Sequence, residues 1–256
     1  MILKAIEAGS GPPVVLLHGL FGAARNWGAM QRALAPRFRV IALDMRNHGA
    51  SPHAPDMRYA TQAADVLETL DAMGALPAAV IGHSMGGKAA MAAALAQPAA
   101  IARLLVSDIA PVIYQHGNTA IAAAMAAIPL DPALTRAQAS ALLEAAVADA
   151  AVRAFLLQNL TFGATPGWRI GLADIAAAIP DLEGWQDVPS GRYDGPTVFV
   201  TGAQSDYVLP EHRPAIRALF PAARFVAVKG AGHWVHADNP AGFLSVLEAF
   251  LHDWGA

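Results

Sequence analysis

Gly82-His83-Ser84-Met85-Gly86-Gly87 sets a serine between glycines placed two residues to either side. An aliphatic run precedes it and an alanine-rich stretch follows it. A free hydroxyl is a poor nucleophile, and G-x-S-x-G between strand and helix is a known way to expose one for attack. The turn is sharp and strained, so a Cβ at Gly82 or Gly86 would meet neighbouring backbone. A helix starting at Met85 aims unpaired N–H groups to where an oxyanion would develop. The plain alternative is a glycine–serine turn without chemistry.

Such a serine needs a base. Gly230-Ala231-Gly232-His233-Trp234-Val235-His236 offers two imidazoles. His233 follows the glycines directly. His236 leads into Asp238-Asn239-Pro240, a helix start, and reads as structural. The base in turn needs an acid to fix its tautomer and stabilise the imidazolium. Asp108 ends the aliphatic run Leu104–Ser107, and Asp206 lies in Gly202-Ala203-Gln204-Ser205-Asp206-Tyr207. Both follow strand patterns and both precede His233. Asp174, inside a helical stretch, is a third candidate. The first strand pattern, Val14–Leu17, runs into His18-Gly19-Leu20-Phe21-Gly22. There the amide of Leu20 can join that of Met85 as an oxyanion donor, while the His18 side chain buttresses the loop.

Other chemistries find no residues to carry them. Gly82 to Lys88 lacks the spacing of a phosphate loop, and no G-x-G-x-x-G follows the first strand. Nine histidines occur without H-E-x-x-H or paired metal spacing, so neither metal nor cofactor is expected. With no cysteine there can be no disulfide, thiolate site or cysteine nucleophile. A net charge of −3 gives no basic field for nucleic acid. No run approaches the roughly 20 apolar residues of a membrane span, and no signal-peptide pattern opens the chain. The expectation is a cytoplasmic protein.

These residues must be positioned by a fold, and 256 residues suffice for one large domain or one domain with a long insertion. Val14–Leu17, Arg39–Leu43, Ala78–Ile81, Leu104–Ser107, Thr197–Thr201 and Arg224–Val228 are short aliphatic runs, as strands buried on both faces are. Between the early runs lie helical patterns: one capped by Asn26 through Ala35, Tyr59–Met73 stopping at Gly74, and Met85–Leu95 before Pro98. The alternation predicts a mostly parallel α/β sheet flanked by helices. From about Asn118 to Ile179 only helical patterns appear, and Pro180 to Pro196 reads as an irregular return. Residues 1–111 and 191–256 are thus expected to form the core, and 112–190 a helical cap.

Taken in order, His18-Gly19-Leu20-Phe21-Gly22, Asp44-Met45-Arg46-Asn47-His48-Gly49, the Ser84 turn with Lys88, Asp108-Ile109-Ala110-Pro111 and Gly232-His233-Trp234-Val235-His236-Ala237 resemble the α/β-hydrolase superfamily. More narrowly, they resemble its YbfF-type esterase branch. The order serine, acid, histidine agrees. The resemblance implies a sheet with a helical cap inserted after the sixth strand, and a cofactor-free serine esterase acting on esters or thioesters. Many superfamily members carry the acid three residues after the glycine that closes the seventh strand. Counted from Gly202, that position holds Ser205. The branch uses the aspartate of Asp-Ile-Ala-Pro instead, which implies Asp108 as the acid and Asp206 as second choice.

The expected activity is a carboxylesterase or thioesterase that forms an acyl-enzyme on Ser84, with His233 as base, taking a small-molecule ester or thioester. C–C bond hydrolysis, peptidase or perhydrolase activity on the same residues are the nearest rivals. Haloalkane dehalogenation would want an aspartate at position 84. A catalytically silent binding protein is the alternative of another class.

Overall fold

Aliphatic residues at every position of a strand need cover on both faces, and the chain supplies it with helices on either side of one sheet. The computed structural model describes residues 1–115 and 117–255. The strands are β1 (Ala5–Ala8), β2 (Pro13–Leu17), β3 (Arg39–Leu43), β4 (Ala78–His83), β5 (Ile101–Ser107), β6 (Leu160–Thr161), β7 (Gly167–Trp168), β8 (Thr197–Gly202) and β9 (Ala223–Val228). Seven of them form a sheet in the order β1-β3-β2-β4-β5-β8-β9, parallel throughout except for β1. Val15 and Leu17 face one core layer, and Val14 and Leu16 the other.

The helices are α1 (Gly28–Leu34), α2 (Tyr59–Ala72), α3 (Met85–Ala96), α4 (Asn118–Ala126), α5 (Arg136–Leu143), α6 (Ala150–Leu156), α7 (Leu172–Ala177), α8 (Ile179–Glu183), α9 (Arg213–Leu219), α10 (Val235–Asp238) and α11 (Pro240–Phe250). Met30 and Leu34 of α1 pack with Phe243 and Leu247 of α11 on one face. Val66 and Leu70 of α2 and the alanines of α3 cover the other, where α4 to α8 also gather. None of these helices is long and apolar enough to cross a membrane.

The aliphatic runs are strands and the sheet is mostly parallel, as the alternation predicts. Four details differ. β1 is a half-exposed edge of four residues, too short to show a period. Asn26 does not cap α1: a 3-10 turn over Ala24–Trp27 precedes that helix, and the Asn26 side chain accepts from the Ala23 amide at 2.6 Å. The stretch from about Asn118 to Ile179, expected to be helical only, contains a two-stranded ribbon, β6 with β7, and α8 runs on into the expected irregular return from Pro180. Strands of two residues carry no periodicity to read. Finally, the helical stretch follows the fifth strand of the chain, not the sixth, because the sheet has seven strands.

Helix ends follow side-chain chemistry. Thr135 and Gln138 close a capping box on α5, and Asp149 caps α6. Asn239 accepts from the Gly242 amide at 2.9 Å and Pro240 opens α11, as the sequence suggests.

Candidate active site

Ser84 stands at the carboxyl end of β4, between the strand and α3, with φ +52°. Non-glycine residues seldom adopt that region, and residues that do collect at functional sites. Its amide donates to the Ser107 carbonyl at 3.0 Å, which ties the turn to β5. The flanking glycines are required by close approach. A Cβ on Gly82 would lie 2.2 Å from the Gly86 carbonyl oxygen, and one on Gly86 2.5 Å from that of His18. The turn is thus pressed against both its own far side and the loop after β2.

His233, in the loop after β9, brings Nε2 to 3.1 Å from the Ser84 hydroxyl. Its Nδ1 lies 2.8 Å from Asp108 Oδ2. Asp108 is fully buried at the end of β5, with φ +53° and its amide on the Val200 carbonyl. Its carboxylate is well supplied with donors. Oδ1 accepts from the Thr201 hydroxyl at 2.7 Å and the Gly202 amide at 3.1 Å, and Oδ2 also accepts from the Ser205 hydroxyl. Asp206 is exposed in the same turn, and Asp174 sits in α7. Of the three aspartates weighed from the sequence, Asp108 is the one hydrogen-bonded to His233.

The imidazole is held from several sides. Tyr207 stacks on the His233 ring at a centroid distance of 3.6 Å, and His83 Nε2 donates to the His233 carbonyl at 2.8 Å. Burial, then the neighbouring imidazoles of His233 and His236, press His83 far below its usual pKa, which keeps it neutral. His236 is similarly lowered to about 4 by burial and by His233, and it stacks on Trp27 at 4.4 Å. It packs behind the site.

Leu20 and Met85 flank the serine. Met85 is the first residue of α3, so its amide has no partner within its own helix. Among the described residues the Leu20 amide has no hydrogen-bond acceptor. The loop carrying Leu20 is braced from beneath. Phe21, at φ +59°, donates its amide to His48 Nε2 at 3.1 Å, and Asn159 holds its carbonyl at 2.7 Å. His18 Nε2 accepts from the Met45 amide at 2.9 Å. Both histidines must therefore carry their proton on Nδ1, facing the carbonyls of Gly19 and Arg46. Burial lowers His18 to about 4 and His48 to about 3. Asp44 completes the brace by accepting from the amides of Ala24 and Ala50.

A cleft of about 160 Å³ opens over the serine. Its floor comes from the sheet edge. Its walls come from α4 (Ile121), α6 (Val152, Phe155) and α8 (Leu182, Glu183), with Tyr59, Tyr114 and Tyr207 between. Phe155 lines the cleft and meets Trp234 edge-on; Phe162 does not line it and lies under Arg136 instead. Sequence reasoning gives no site role to His48, Thr201, Ser205 or Tyr207. Two of them carry a signal: Ser205 in its count from Gly202, and His48 in the Arg46-Asn47-His48-Gly49 motif.

Known proteins share this architecture. Residues 12–240 match the family model described as the alpha/beta hydrolase fold. The chain is 40% identical over 242 residues to Esterase YbfF of Escherichia coli (strain K12), covering 94% of this chain and 93% of that one. It is also 40% identical over 251 residues to the sn-1-specific diacylglycerol lipase ABHD11 of Mus musculus, covering 94% and 81% respectively. The solved structure of a marine microorganism esterase matches with a TM-score of 0.94 at 34% identity, covering 98% of this chain and all of that one.

Proposed function

This chain belongs to the α/β-hydrolase family, and from that premise we propose that it cleaves carboxylic esters, and acyl thioesters, through an acyl-enzyme on Ser84. The observation that carries the reading is the line Ser84 Oγ, His233 Nε2, His233 Nδ1, Asp108 Oδ2, with spacings of 3.1 and 2.8 Å at its two hydrogen bonds. The esterase and lipase relatives support it.

In this reading His233 takes the Ser84 proton as Oγ attacks the acyl carbonyl. The amides of Leu20 and Met85 hold the oxyanion, and losing one such donor typically raises the barrier by about 2.7–4 kcal/mol. Asp108 keeps the Nδ1 proton in place and stabilises the imidazolium. The imidazolium then gives its proton to the leaving alcohol or thiol as the C–O or C–S bond breaks. Water, deprotonated by His233, attacks the acyl-enzyme and releases the acid, returning the proton to Ser84.

Residues 112–190 serve as the cap in this reading, with 1–111 and 191–256 as the hydrolase core. The cleft of about 160 Å³ is smaller than the roughly 300–1,000 Å³ that encloses drug-sized ligands, which favours a short or medium acyl group. A fluorophosphonate probe followed by peptide mapping tests the proposal, together with an ester and thioester panel of graded chain length. Labelling at Ser84 that abolishes turnover is expected. An unlabelled protein that binds ligands without turning them over would instead favour a silent binding protein.

A further inference from the structure

One buried charge near the site has no part in that mechanism. Lys88 lies in the first turns of α3, four residues after Ser84, and is 1% exposed. Its Nζ donates to the carbonyls of Val112 at 2.9 Å, Glu183 at 3.1 Å and Gly184 at 2.6 Å. It also lies 4.9 Å from the Tyr114 ring and 5.5 Å from the Tyr59 ring. An ammonium has three protons, and all three are used.

The acceptors explain the arrangement. Val112 belongs to the segment that leaves the sheet after β5, and Glu183-Gly184 to the segment returning toward β8. Two further bonds converge there: the Tyr114 amide donates to the Glu183 carbonyl at 2.8 Å, and the Tyr59 hydroxyl to that of Leu182 at 2.6 Å. Tyr59, Tyr114, Leu182 and Glu183 line the cleft, and Lys88 stands behind them. Burying an ammonium costs free energy that an aliphatic residue would not. Packing alone therefore does not account for a lysine here.

We propose that Lys88 is a positioning residue: it clamps the Leu182–Glu183 wall of the cleft to the helix that begins at the nucleophile. It thereby sets how an extended acyl chain seats against Ser84. This rests on the ester-hydrolase reading. An acetyl group stays near Ser84 and is insensitive to the wall, whereas a hexanoyl group must meet it.

The test compares p-nitrophenyl acetate with p-nitrophenyl hexanoate on wild type, Lys88→Met and Lys88→Arg. In Lys88→Met the KM for hexanoate should rise about tenfold, while kcat on both esters and the KM for acetate stay within about threefold. Lys88→Arg, which restores donors, should recover part of the hexanoate KM. Equal losses on both esters, or none, overturn the clamp. Amide exchange in 109–115 and 180–186 gives a readout independent of turnover: it must rise in Lys88→Met, and unchanged protection there overturns the proposal. Should the wild type hydrolyse neither ester, the parent reading fails and exchange alone decides the clamp.

If Lys88→Met does not fold, the wild type still answers. Burial holds the amine down to about 7, against the opposing pull of the Glu183 carboxylate. The phenols of Tyr59 and Tyr114 also face it, and both are pushed up by burial and stay neutral. Deprotonation removes one donor and the charge, so the hexanoate-to-acetate KM ratio should rise between about pH 6 and pH 8.5. Groups that act on both esters, His233 among them, cancel in the ratio. A flat ratio overturns the clamp.

Discussion

Asp108→Asn should leave a folded protein with a crippled base, and the structure fixes how. The asparagine amide must choose which end carries oxygen. At the Oδ1 position the Gly202 amide, a backbone donor at 3.1 Å, requires an acceptor. The oxygen therefore stays there, and the NH₂ group takes the Oδ2 position, 2.8 Å from His233 Nδ1. Two donors cannot face each other, so Nδ1 becomes the acceptor and the imidazole proton moves to Nε2. That nitrogen faces Ser84 and can no longer take its proton. In a serine protease the equivalent change costs about 10⁴-fold in turnover. General acid–base contributions span roughly 10²–10⁴-fold, which is about 3–5 kcal/mol on the barrier. We expect a fall in kcat within that range, measured on p-nitrophenyl acetate, with melting temperatures checked first. The exposed Asp206 has no such geometry, and Asp206→Asn should lose less than about tenfold. A dead Asp206→Asn beside a near-normal Asp108→Asn would refute the reasoning.

Gly86→Ala should melt roughly 6–12 °C lower, because its Cβ meets two backbone oxygens at 2.5 and 2.6 Å and overpacking of this kind costs about 3 kcal/mol; an unshifted melt contradicts it. Phe155→Ala should enlarge the cleft and shift preference toward longer acyl esters, whereas Phe162→Ala should alter stability alone; identical chain-length profiles for both would tell against the cleft assignment. Acid should destabilise the fold through His18 and His48. Their folded pKa values, about 4 and about 3, lie below the ordinary 6.5, so the unfolded chain binds more protons below that value. The stabilisation is complete above about pH 6.5 and drains away as pH falls toward 4, at about 1.4 kcal/mol per unit for each group. Melting temperatures that stay level from pH 7 to about pH 4.5 would count against buried neutral histidines.

The sheet was legible because strands buried on both faces must be aliphatic throughout, as Val14–Leu17 and Leu104–Val106 are. The Ser84 turn was legible because a close approach excludes every side chain but hydrogen, leaving glycines at fixed offsets. What stayed hidden lacks a local signature. β6 and β7 are two residues long, and β1 is an edge with both faces half-open. The choice between His233 and His236 leaned on glycines, yet what separates them in space is that Trp27 lies against His236. His48 and Tyr207 support the site across 27 residues and 26 residues of chain respectively, from loops with no periodicity. No reading of Tyr207 alone foretells a ring stacked on His233.

Asp108 follows β5 and Ser84 follows β4, and these strands are hydrogen-bonded neighbours in register up to His83 and Ser107. In the proposed mechanism the nucleophile and the acid are therefore spaced by a ladder, and one member alone, His233, is carried by a loop. The turn after β8 is relieved of supplying a carboxylate and contributes a hydroxyl, from Ser205, and a ring, from Tyr207. The exposed Ala203, Gln204 and Asp206 of that turn have latitude that an acid-bearing turn lacks. Their sequence can drift toward a new acyl group, reshaping the cleft beside His233, without dismantling the reaction.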